Sequence, residues 1–157
     1  VFAEACDGFD QMREREGEKL AEDVRNRACV IETLVGEVEK RSPERVAEYR
    51  EKLLARMREV LESTDIDETR IVTEAAIYAD KTAVDEETVR LRSHIGQLRT
   101  MLDKGGAVGR KLDFLIQEFN REANTIGSKC SDIEIARHVV DIKAEIEKIR
   151  EQIQNME

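Results

Sequence analysis

Val108-Gly109-Arg110-Lys111-Leu112-Asp113-Phe114-Leu115-Ile116-Gln117-Glu118-Phe119-Asn120-Arg121-Glu122-Ala123-Asn124-Thr125-Ile126-Gly127 places Leu112, Leu115, Phe119, Ala123 and Ile126 three or four positions apart. An α-helix turns once every 3.6 residues, so this spacing gathers the five apolar side chains into one stripe. Arg110, Asp113, Gln117, Asn120, Arg121 and Asn124 then share a polar side, with Glu118 and Glu122 one turn apart on an adjoining face. A helix that is apolar along one stripe must bury it against another helix, and Gly127 predicts where this one stops.

The same pattern extends in both directions. Downstream, Ser131 followed by Glu134 has capping-box spacing, and Ala136, Val139, Ile142, Ile146, Ile149, Ile153 and Met156 form a near-heptad stripe suited to a second helix or another subunit. Upstream, Lys104-Gly105-Gly106 predicts a C-cap and loop after a stripe of Leu91, Ile95, Leu98 and Leu102. Asp85 is placed as the N-cap of that helix, with Val84 and Val89 as a hydrophobic staple and Glu86 and Glu87 at the positive end of its dipole. Before it, Ile71, Val72, Ala75, Ala76 and Ala79 mark a helix from about Glu68 to a break near Thr82, preceded by a break at Ser63-Thr64-Asp65-Ile66-Asp67.

The first stripe runs through Phe2, Cys6, Phe9, Leu20, Val24, Ala28, Ile31, Val35 and Val38. Ser42-Pro43 reads as an N-cap followed by proline at the first helical position, so a second helix with Val46, Tyr49, Leu53, Met57 and Val60 or Leu61 is expected after a short turn. The expectation is an all-α fold of long antiparallel helices in a bundle or hairpin: 1–62 as a long helical hairpin and 63–157 as a C-terminal helical region. Charged residues make up 39% of the chain and aromatics 4%, with one proline, which favours solvated helices over a β-sandwich or barrel.

No run approaches the roughly 18 apolar residues of a membrane span, and no charged-then-apolar signal opens the chain, so a soluble cytoplasmic protein without a membrane partner is expected. Cys6, Cys29 and Cys130 are odd in number and lack CxxC spacing, which argues against a disulfide framework or structural zinc site. Val1 stands where an initiator methionine would, and the helical spacing has already begun there; the chain reads as the C-terminal piece of a longer protein. Net charge is −9, which taken alone opposes a nucleic-acid partner. Residues 86–130 nevertheless carry 8 basic against 6 acidic side chains and form the one net-basic segment, where the polar motifs are densest.

Within that segment Glu87, Arg90 and His94 fall at i, i+3 and i+7, so one helix face presents a carboxylate, a guanidinium and an imidazole. The first and last of these can hold a divalent metal, and arginine can pair bidentately with a phosphate. His94 also borders Leu91 and Leu98, where a histidine can serve as a hydrogen-bonded packing residue. Glu118 and Glu122, at i and i+4, can share a cation that activates water and stabilises charge on a phosphoryl transition state, or can be a solvated acid pair. Asn120 and Asn124 are mediocre helix formers, and two of them in one helix point to hydrogen bonding beyond water. Glu134, His138, Asp141 and Glu145 line a face opposite the last stripe and read as solvated. Gly17, inside the first helix beside Arg13, Glu14 and Glu16, is accounted for by a close helix approach.

The run Gly109 to Lys129, the ending Arg150-Glu151-Gln152-Ile153-Gln154-Asn155-Met156-Glu157, the group Glu86-Glu87, Arg90-Leu91 and Ser93-His94-Ile95, and Arg13-Glu14-x-Glu16-Gly17 with Leu20 closely resemble the bacterial YicC-like endoribonucleases. The resemblance spans essentially the whole chain and is strongest after Glu86. Ala107, where relatives often have proline, and Cys130, where a small residue is usual, depart from the pattern without touching a candidate ligand.

That resemblance implies a divalent-metal-dependent endonuclease, with magnesium or manganese, acting on single-stranded RNA rather than DNA. It further implies a role in small-RNA turnover, a ring-like homo-oligomer and an N-terminal α/β domain that this chain lacks. Combined with the spacing, it makes Glu87, His94, Glu118 and Glu122 the candidate metal ligands and acid/base groups, with Asp113 a further catalytic candidate. Arg90, Arg110, Lys111, Arg121 and Lys129 become phosphate contacts, and Asn120 and Asn124 orienting groups. A metal-free route through His94 and the RNA 2′-hydroxyl stays open, as does a non-catalytic helical module for oligomerisation or RNA adaptation.

Overall fold

The computed structural model describes residues 2–61, 67–105 and 109–156, and among them all regular structure is helical. Five helices follow one another: α1 (Phe2–Leu61), α2 (Glu68–Thr82), α3 (Asp85–Lys104), α4 (Gly109–Lys129) and α5 (Ile133–Met156). The expected break at 63–66 and the side chains of Phe2, Cys6, Phe9, Leu61 and Met156 lie outside the described residues.

Cross-helix ion pairs establish the directions. Arg41 reaches Asp132 and Arg27 reaches Glu145, so α1 and α5 run antiparallel. Arg25 meets Asp103 while Arg92 meets Glu39, so α1 and α3 also oppose each other. Lys129 on α4 meets Glu87 on α3 while Glu122 meets Arg90, so these two oppose each other as well, and Lys143 on α5 reaches Asn124 on α4. α1, α3, α4 and α5 therefore form a square antiparallel bundle in which each helix packs on two neighbours and α1 and α4 occupy one diagonal. α2 lies against α1, where Tyr49 and Tyr78 stack with ring centroids 3.9 Å apart.

The four stripes meet in one core. Val24, Ala28, Ile31 and Val35 from α1 face Leu91, Ile95 and Leu98 from α3, Leu112, Leu115, Phe119 and Ala123 from α4, and Ile142, Ile146, Ile149 and Ile153 from α5. A fully buried aliphatic or Phe side chain contributes about 1.5–3 kcal/mol, so this layer dominates the stability of the bundle. Val38, Val84, Ile126, Ile135 and Val139 close one end.

Several local expectations are corrected. α1 is one continuous helix over Phe2–Leu61 with Pro43 inside it, so the turn at Ser42-Pro43 on which the expected 1–62 hairpin depends is not formed. Proline removes one backbone donor and crowds the preceding turn, but side chains on both sides hold the helix in line. Arg41 and Arg45 both reach the Asp132 carboxylate, at 3.1 and 3.4 Å, and Arg41 also pairs with Glu48 and Glu134. This tertiary clamp overrides the local stop signal.

Asp85 lies inside α3 rather than capping it. Val84 is the N-cap residue, and the staple is absent because Val89 is 65% exposed. Asp132 takes the capping role expected of Ser131: its Oδ1 accepts the Ile135 N–H at 3.0 Å. Ile135 is accordingly buried where Ala136 was expected. α4 runs past Gly127, whose hydrogen in place of Cβ leaves room for Val139; a Cβ there would lie 3.3 Å from Val139 Cγ1. No described heavy atom lies within 4 Å of a Cβ built on Gly17, so close helix approach is not its reason. Gly105, with φ of +60°, ends α3 in the left-handed region that glycine tolerates.

Candidate active site

α3 and α4 lie side by side and antiparallel, so a residue near the middle of one faces a residue near the middle of the other. His94 on α3 thereby meets Glu118 and Glu122 on α4, and one ligand atom from each lies within 4.8 Å of the other two. Glu122 is only 2% exposed, and Glu118 and His94 are half-buried. The His94 and Phe119 rings pack edge to face, with centroids 6.1 Å apart and planes at 71°. This contact helps to set the plane of the imidazole. His94 Nδ1 is buried with no hydrogen-bond partner among the described residues. A buried polar atom without a partner is costly, and it leaves a lone pair or proton open to a bound group.

Two arginines edge the cluster. Arg90, one turn before His94, places Nη1 3.8 Å from Glu122 Oε2 and donates from Nη2 to Glu86. Arg121 places Nη1 3.4 Å from Glu118 Oε2 and is largely exposed. Both guanidiniums keep donors free to turn toward a phosphate, because neither acid contact is a close bidentate pair. An imidazole and two carboxylates at this separation are a donor set suited to a divalent cation such as manganese or magnesium.

The other sequence candidates lie elsewhere. Glu87 is not brought to His94: it is 4% exposed at the start of α3, where Lys129 Nζ sits 2.9 Å from its Oε1 and also donates to the Ala83 carbonyl. Glu87 and Lys129 neutralise each other and tie the end of α4 to the start of α3. Asp113 and Asn120 line an open groove between α4 and α5 with Gln117 and Arg150, on the far side of α4 from Glu118. Asn120 donates to the Ile116 carbonyl one turn back on its own helix, whereas Asn124 accepts from Lys143 of α5 and so bonds across the α4–α5 seam. Arg110 and Lys111 are exposed near the start of α4, Lys111 beside Ser93, Gln97 and Thr100 of α3. Sequence reading passed over that groove, which Met101 also lines, and the support given by Phe119, since the neighbours involved come from two helices. Of the solvated face expected on α5, Glu145 is an exception; Lys148 and then Arg27 hold its carboxyl below the ordinary value against the opposing effect of burial.

The family model described as "Endoribonuclease YicC-like, C-terminal" matches residues 38–157, which include every member of the cluster. The chain belongs to the YicC-like endoribonuclease family. A protein of Clostridioides difficile (strain 630) named "Probable endoribonuclease YicC" is 55% identical over 148 residues, covering 94% of this chain and 50% of that one. A protein of the same name from Haemophilus influenzae (strain ATCC 51907 / DSM 11121 / KW20 / Rd) is 40% identical over 157 residues, covering 100% of this chain and 54% of that one. The chain thus spans about half the length of the curated YicC relatives it matches. No described helix is long and apolar enough to cross a membrane.

Proposed function

We propose that this helical unit carries the reacting centre of a divalent-metal-dependent endoribonuclease that cleaves single-stranded RNA, serves small-RNA turnover in the cytoplasm and works as a homo-oligomer. The observation that carries the reading is the meeting of His94, Glu118 and Glu122 at the middle of the α3–α4 seam, with His94 Nδ1 lacking a partner. Family membership supports RNA as the substrate.

His94, Glu118 and Glu122 would hold the cation. When bound, it would supply charge stabilisation for the phosphoryl group and favour the deprotonated form of an attacking water. Around that centre the chain's own groups do the rest. Arg90 and Arg121 leave their carboxylate contacts to bind the phosphate oxygens, which places the scissile group over the seam. Phe119 keeps the imidazole plane from rotating away. The largely buried Glu122 excludes water from the inner side, so electrostatic contacts there are stronger than on the open surface. Glu87 and Lys129 act at a distance, fixing the α3–α4 register on which the cluster depends.

The test is cleavage of a single-stranded RNA by the full-length protein, with and without chelator, comparing wild type with His94→Ala and Glu122→Gln. Loss of roughly 10²-fold or more in both variants is expected, the scale on which positioned acid/base and charge-stabilising groups act. Undiminished cutting by both variants removes the site. A clean wild type that does not cut points instead to a helical adaptor.

A further inference from the structure

α4 displays a phenylalanine where its amphipathic pattern calls for a polar residue. Phe114 is 63% exposed, and it is the aromatic member of the large apolar side chains that the described residues leave in solvent. Both tyrosines, by contrast, are stacked on each other. Phe114 stands one helical turn, about 6 Å of axial rise, before Glu118 and on nearly the same face. Arg121 lies almost directly in line with it two turns on, and Arg110 and Lys111 flank it one turn back. The ring is thus set between basic side chains, directly beside the cluster, and its neighbour Lys111 lines a groove with Ser93, Gln97, Thr100 and Met101 of α3.

We infer that Phe114 is a stacking platform for a nucleobase of single-stranded RNA, holding the nucleotide next to the scissile phosphate. The inference rests on the RNA-cleaving reading above and specifies how the substrate is gripped. Three features favour a base over a protein surface. The exposed large apolar side chains of the neighbouring helices, Val89 on α3 and Ile133 and Val140 on α5, belong to the end of α4 where Lys129 meets Glu87 and Asn124 meets Lys143, not to the start where Phe114 stands, whereas a protein interface needs a contiguous apolar patch. Its flanks are cationic, matching the sugar-phosphate chain on either side of a stacked base. It is also continuous with the phosphate-binding edge, so one nucleotide can span from ring to reacting centre. Stacking on an aromatic face requires an unpaired base, which makes the subsite selective for single strands over duplex. Every base has such a face, so little sequence preference follows from it.

The experiment measures binding of a short fluorescent single-stranded RNA to the full-length protein in chelator, where cleavage is suppressed, for wild type, Phe114→Ala, Phe114→Leu and Phe114→Trp. Phe114→Ala and Phe114→Leu are expected to weaken binding roughly tenfold, and Phe114→Trp to restore it, since tryptophan keeps the stacking face and leucine keeps only the apolar bulk. A strand carrying 2-aminopurine should be quenched by wild type and Phe114→Trp alone. Wild-type affinity in the leucine variant, or no binding by wild type, overturns the inference. So does a fall in oligomeric mass in Phe114→Ala that leucine restores, which would assign the ring to a protein contact. Because binding is read without cleavage, failure of the His94 and Glu122 assignment leaves this readout intact, and failure here leaves theirs.

Discussion

Glu122→Met is expected to make the folded chain more stable while abolishing its response to divalent cations. Glu122 is 2% exposed, and its arginine contact is 3.8 Å long with Arg90 itself half-exposed. At that separation and an effective dielectric of about 20 the attraction is about 4 kcal/mol, while desolvating a carboxylate costs several kcal/mol. Solvent around Arg90 reduces the attraction further. The balance is near zero or unfavourable, and because Arg90 keeps Glu86 and solvent when the acid is removed, no buried charge is stranded and an apolar side chain of similar length gains up to about 1–2 kcal/mol by ending the carboxylate's desolvation. For a chain of this size that is a rise in melting temperature of roughly 2–8 °C. The assay is thermal unfolding followed by circular dichroism, in chelator and again with manganese. Wild type should gain about 2.7 kcal/mol when the metal stands at a hundred times its dissociation constant, and Glu122→Met should gain nothing. A variant that melts below wild type in chelator would refute the reasoning, because the carboxylate would then be a structural partner rather than a group held buried for chemistry.

Three further outcomes follow from the ion pairs and the long helix. Lys129→Met leaves the buried Glu87 carboxylate without its cation and should cost about 2 kcal/mol in urea unfolding, discounted because Lys129 is itself about one-third exposed; adding Glu87→Met should recover most of the loss. Pro43→Ala restores a backbone donor within α1 and should raise the urea midpoint, by up to about 3 kcal/mol if the clamp only resists the proline rather than requiring it; an unchanged midpoint would mean that the helix is already distorted there at no cost. The Asp132 carboxyl is pushed up by burial, but the Ile135 N–H and the Arg41 guanidinium outweigh this and hold it below the ordinary value. Its stabilisation is therefore complete above about pH 4 and is lost as pH falls through the lower folded value, so Asp132→Asn should flatten the acid limb of a stability-against-pH curve; an unaltered acid limb would contradict the assignment.

The parts of the fold that were legible in the sequence are those decided by local periodicity. Leu91, Ile95 and Leu98, or Ile142, Ile146 and Ile149, can be placed inside by spacing alone because any partner helix will bury them. The His94, Glu118 and Glu122 meeting was also within reach: two antiparallel helices joined by a short glycine loop must bring their midpoints together. What escaped depends on neighbours distant in sequence. Pro43 carries a stop signal that only Asp132, some 90 residues away, overrides. Glu87 has the right residue type and spacing for the site, but Lys129 claims it. Asn120 and Asn124 looked substrate-facing until the first turned to the Ile116 carbonyl of its own helix and α5 supplied Lys143 to the second. The cap shifted from Ser131 to Asp132 because two arginines reward a carboxylate there.

The unequal lengths of the helices have a mechanical consequence. α1 holds 60 residues and is about 90 Å long, whereas α5 holds 24 and is about 36 Å long. With Arg41 opposite Asp132 and Arg27 opposite Glu145, α5 ends near residue 16 of α1, so the first turns of α1 overhang by about 20 Å. Such an overhang is a lever arm: a tilt of about 10° at the packed section becomes a displacement of about 3–4 Å at its tip, and a load on the tip returns to the bundle as torque.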